Sequence, residues 1–67
     1  MPQQRKMEDY PPEPRRKEIF QALVDVQDTG SMTVAQSRKF IAERYGVSEI
    51  QLKEIEHEGL ENGWPPL

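Results

Sequence analysis

Between Ile41 and Ile55 the chain reads IAERYGVSEIQLKEI, and no other stretch restricts the fold as tightly. Ala42 and Gly46 stand four apart, Tyr45 and Val47 flank the glycine, and Leu52 and Ile55 follow as an i, i+3 apolar pair. A small residue on one helix lets a second helix cross close to it, and glycine supplies the positive-φ corner between the two. Leu52 and Ile55 then pin the second helix back onto Ile41 and Tyr45. This spacing predicts a helix-turn-helix arrangement.

Local end signals agree with it. Thr33-Val34-Ala35-Gln36 and Ser48-Glu49-Ile50-Gln51 both fit the capping box, in which a hydroxyl and an amide three residues apart satisfy end donors reciprocally. Val47 before the second box and Leu52 after it form a hydrophobic staple. Upstream, Ile19, Phe20, Leu23, Val24 and Val26 make a broad apolar stripe beside Ala22, with Pro14 in the first turn and Gly30 as a left-handed end. The expected fold is all-α: three helices near residues 14–29, 34–45 and 49–62, the last fraying near Gly59 to Asn62. The expected core is Ile19, Phe20, Leu23, Val26, Val34, Phe40 or Ile41, Tyr45, Val47, Leu52, Ile55 and Leu60.

The two ends of the chain read differently. Residues 1–12 hold three prolines and four charges, too little apolar surface to offset ordering, and are expected to be a disordered arm. Residues 13–67 form the domain. Its last stretch, Gly63-Trp64-Pro65-Pro66-Leu67, cannot continue a helix through the prolines and is expected to run extended. Trp64 either folds back to close the core between the first and third helices or presents a short peptide to a partner groove.

Sixty-seven residues make one small domain near the lower limit for a self-supporting core, and with no cysteine it has no disulfide or thiolate metal site in reserve. The absence of cysteine and of an apolar leader or membrane-length run leads us to expect a cytoplasmic protein. Net charge is −3, unevenly spread: residues 48–67 carry Glu49, Glu54, Glu56, Glu58 and Glu61 against Lys53 alone. Catalysis and cofactor binding find no footing, because one histidine and no glycine-rich phosphate loop leave nothing to build a site from. Glu54 and His57 have the i, i+3 spacing of half a di-metal site, with Glu58 and Glu61 nearby, yet they fall on the outward side of their helix. No metal is expected.

The segment Tyr45 to Leu60, YGVSEIQLKEIEHEGL, resembles the promoter-reading C-terminal helix-turn-helix of bacterial primary sigma factors. The resemblance rests on Tyr45-Gly46-Val47-Ser48, Leu52, Ile55-Glu56 and Gly59-Leu60, and it covers about a quarter of the chain. It implies a DNA-reading second helix and a link to transcription. In that family the exposed start of the second helix carries arginines; the matching positions here are Glu49, Ile50, Lys53 and Glu54.

The outward stripe of this helix is therefore Ile50, Lys53, Glu54, His57 and Glu61, opposite Leu52, Ile55 and Gly59. Glu49 sits at the N-terminus, where the helix dipole favours negative charge, and pairs in sequence with Lys53. The remaining four glutamates are expected to repel one another and any phosphate, whose neutralisation normally supplies most DNA affinity. We expect a protein partner bound through Glu49, Ile50, Lys53, Glu54, His57 and Glu61, with a second copy of the chain as a further option, and no membrane or small-molecule substrate. The alternative is a DNA-binding regulator that places the third helix in the major groove. It would use Arg15, Arg16, Lys17, Arg38, Lys39, Arg44 and Lys53, aided by Arg5 and Lys6 on the arm.

Overall fold

The computed structural model describes residues 10–67, and among these it forms three helices and no strand. These are α1 (Glu13–Thr29), α2 (Val34–Tyr45) and α3 (Glu49–Asn62), and each packs against the other two. Both capping boxes form. The Thr33 hydroxyl accepts from the Gln36 amide while the Gln36 side chain accepts from Thr33 N–H, and Ser48 and Gln51 repeat the arrangement. α1 lacks such a cap; Pro12 precedes it and Pro14 lies in its first turn, where a missing N–H leaves no helical bond broken.

α2 and α3 end on the same device. Gly46 and Gly63 take left-handed backbone at φ 72° and 62°, and the next residue donates back to a carbonyl five positions earlier. Those bonds run from Val47 N–H to Ala42 O and from Trp64 N–H to Gly59 O. The chain reversal throws the following apolar side chain onto the core, as a Schellman-type end does. α3 therefore does not fray from Gly59 but stays helical to Asn62.

Ile19, Phe20, Leu23, Ile41, Ala42, Leu52, Ile55 and Trp64 form the buried cluster, with Val26, Tyr45 and Val47 partly buried against it. Trp64 docks as the first of its two readings has it, 6% exposed and edge-on to Phe20 with ring centroids 6.1 Å apart. Two expected core residues are on the surface, Val34 and Leu60 at 53% and 58% exposure, and of the pair Phe40 or Ile41 it is Phe40, 43% exposed, that stays outside. Val34 opens α2 and is exposed there, and Ile41 takes the inward position beside Phe40. Leu60 yields to its neighbour Gly59, which is buried because the Phe20 ring lies directly against its backbone.

Ser37 is the one polar residue buried among the described residues. Its hydroxyl donates to Val34 O at 2.7 Å and accepts from Gln27 Nε2 at 3.2 Å, which ties α2 to α1 without leaving a polar atom unsatisfied. The expected arm falls mostly outside the described residues, and so do Arg5 and Lys6. Its last members are docked. Tyr10 packs against the core, the Arg16 guanidinium lies 5.2 Å from its ring centroid, and Pro11 O accepts from Arg16 Nη1. The C-terminal end is not extended either: Leu67 N–H donates to Trp64 O, closing a turn over a cis Pro65–Pro66 bond.

Candidate interaction surface on the third helix

α3 divides into three strips along its axis. Leu52, Ile55 and Gly59 face inward and are fully or nearly fully buried. Glu56 and Glu58 flank them, four residues after Leu52 and three after Ile55, so both stand at the edge of the buried stripe. There they meet arginines from the other helices. Glu58 takes a two-point contact from Arg16 on α1, Nε to Oε1 and Nη2 to Oε2, both at 2.9 Å. Glu56 accepts from Arg38 Nε on α2 at 3.1 Å.

These bridges are half-buried, which distinguishes them from the exposed pairs elsewhere. Hydrogen bonding from Arg16 outweighs the cost of partial desolvation and holds the Glu58 carboxyl below the usual carboxylate range. The same contact raises the Arg16 pKa. Partial burial, then the nearby Glu58 charge, raise the Tyr10 phenol. Forked guanidinium–carboxylate geometry combines charge with fixed orientation, so Arg16–Glu58 sets how α3 lies against α1. The four glutamates expected to repel one another are thus not equivalent. Glu56 and Glu58 are internal clamps.

The third strip points outward: Glu49, Ile50, Lys53, Glu54, His57, Leu60 and Glu61 are all exposed. Ile50, at 72% exposure, is the most exposed of the large apolar side chains. His57 Nε2 lies 3.1 Å from Glu61 Oε2, but both side chains are largely solvated and such a pair contributes little. All six residues expected to meet a partner, Glu49, Ile50, Lys53, Glu54, His57 and Glu61, lie on this strip, and Leu60 joins them. Among the described residues no group of three or more histidine, cysteine or carboxylate side chains is arranged to hold a metal ion. Glu58, the inward member of that sequence cluster, is turned to Arg16.

The seven basic residues of the DNA-reading alternative are dispersed in role. Arg16 and Arg38 are the clamps just described. Arg15 pairs with Glu18 at 3.1 Å and lies over the Tyr45 ring, its guanidinium carbon 4.8 Å from the centroid. Lys17 pairs with Glu13 at 3.4 Å and sits 5.7 Å from the Trp64 centroid. Lys39, Arg44 and Lys53 are exposed and form no ion pair among the described residues. No helix among the described residues is long and apolar enough to cross a membrane.

The exposed Leu60 and the two interhelical clamps escaped the reading of the sequence. The clamps had a usable signal: Arg16 precedes Ile19 and Phe20 by one turn, and Arg38 precedes Ile41 by three residues. Charged groups at the margin of an apolar stripe reach the neighbouring helix rather than solvent. Compared with protein-family models, curated proteins and solved structures, the chain matches none.

Proposed function

We propose that the chain is a small non-enzymatic interaction module, built as a helix-turn-helix, whose α3 surface holds a protein partner of the transcription or nucleic-acid machinery. One observation carries this reading: the arginines that could have offset the acidic helix are spent inside the domain. Arg16 and Arg38 neutralise Glu58 and Glu56, while Glu49, Glu54 and Glu61 remain outward around Ile50 with Lys53 as the one fixed positive charge. A phosphate backbone approaching that strip would meet net negative charge where a reading helix presents positive charge. An apolar anchor within a charged rim suits a protein surface instead. The transcription link comes from the sigma-like run Tyr45 to Leu60.

DNA reading is the second possibility, favoured by exposed Lys39, Arg44 and Lys53. A gel-shift against random duplexes at low salt separates the two. The interaction-module reading predicts only weak, non-saturable retention, increased by the double substitution E54Q/E61Q with the helical fold intact. Saturable, sequence-dependent retention that E54Q/E61Q abolishes would make those glutamates base readers and overturn the proposal.

A further inference from the structure

The outward strip of α3 carries a second pattern that the buried strip does not use. Ile50, Lys53, His57 and Leu60 are spaced three, four and three apart, the a, d, a, d register of a two-heptad seam. Ile50 and Leu60 are its apolar ends, about 15 Å apart along the axis at 1.5 Å per residue. Both are exposed well beyond half, and neither belongs to the core. Lys53 and His57 are its polar centre. On either side of such a seam lie the positions that choose a partner by charge, and here they are Glu49 and Glu56 on one side and Glu54 and Glu61 on the other.

Resting on the reading of α3 as a protein-binding surface, we propose that this seam docks one amphipathic helix of a different protein, with apolar residues in its seam and lysine or arginine at its flanks. The charge arrangement excludes the other obvious occupant, a second copy of this chain. Against itself the seam would set glutamates opposite glutamates whether the two helices ran parallel or antiparallel, because both flanks are acidic. Like charges held together at a helix interface are unfavourable and set specificity by exclusion. Glu56 is already neutralised by Arg38, so the exposed charges available to the incoming helix are Glu49, Glu54 and Glu61. The polar centre fixes register: a partner shifted along α3 would bury Lys53 or His57 against leucine.

The test uses two fluorescent three-heptad peptides, leucine in the seam except for two adjacent central asparagines to face Lys53 and His57, and either lysine or glutamate at all flanking positions. Anisotropy titration of the full chain at low salt should favour the lysine peptide by at least about tenfold. I50D and L60D should each abolish binding. Both substitutions add negative charge, so an attraction that was merely electrostatic would strengthen instead. E49K/E54K/E61K should reverse the preference toward the glutamate peptide. Circular dichroism and Trp64 emission confirm that the surface variants remain folded. Equal binding of the two peptides, binding of neither, or retention by I50D and L60D overturns the seam. A dimer of the chain that I50D dissociates overturns it as well. None of these outcomes bears on whether α3 meets a protein or a duplex, which the gel-shift decides separately.

Discussion

Gly59→Ala should destabilise the domain, against the ordinary preference of helices. Within a helix, alanine is favoured over glycine by about 1 kcal/mol. Gly59 is buried in the third turn of α3, and a methyl group there would overlap Cγ, Cδ1 and Cε1 of Phe20. Phe20 is itself fully buried, with Trp64 edge-on against it, so its ring has no solvent to retreat into and can give way only by disturbing the core. Overpacking by one methyl group costs about 1–3 kcal/mol, and three simultaneous overlaps place this site toward the upper end. Subtracting the propensity gain leaves a net loss of roughly 1–2 kcal/mol. For a domain of this size that lowers the melting temperature by roughly 5–15 °C. Thermal melts followed by far-ultraviolet circular dichroism, with Trp64 emission as the second probe, measure it. The same substitution in a Phe20→Leu background should cost distinctly less, because the ring it strikes is gone. A variant as stable as the parent, or more stable, would refute the close approach of α1 to α3 at this point.

Other outcomes follow from the packing and the clamps. Ile55→Ala removes a fully buried side chain and should cost about 2–5 kcal/mol in urea unfolding, whereas Leu60→Ser should stay within about 0.5 kcal/mol, and a large loss at Leu60 would restore it to the core. Glu58 has a folded pKa below its unfolded one, so its stabilisation is whole above the unfolded value of about 4.3 and is lost as pH falls from there through the lowered folded value. Urea midpoints taken across that range should fall with acid in the parent and fall less in Glu58→Gln, which should already be weaker near neutrality. An identical acid profile in the two proteins would remove Arg16–Glu58 from the account.

Much of the fold was legible because its signals are local. The two capping boxes, the left-handed glycines Gly30 and Gly46 and the stripe Ile19-Phe20-Leu23 each declare themselves within a few residues, and each formed. What escaped depends on contacts distant in sequence. Helical spacing sets Gly59 on the inward side with Leu52 and Ile55 inside a stretch expected to fray; only the ring of Phe20, thirty-nine positions earlier (59 − 20), reveals that the helix is packed there and needs no side chain. With Gly59 inward, Leu60 turned outward. The same limit applied to the acidic helix. Beyond Glu49, glutamate spacing on α3 gave four mutually repelling charges, and the arginines that separate Glu56 and Glu58 from the rest come from α1 and α2. The outward strip itself was legible, because it is the complement of Leu52 and Ile55.

Photo-crosslinking from position 54 tests the central claim most directly. A photoreactive side chain replacing Glu54, on the full chain expressed in its source cells, samples whatever lies against the outward face of α3. Covalent adducts should be with protein, and they should disappear when Ile50→Asp is introduced alongside. Adducts with nucleic acid that persist in the Ile50→Asp variant would contradict the account.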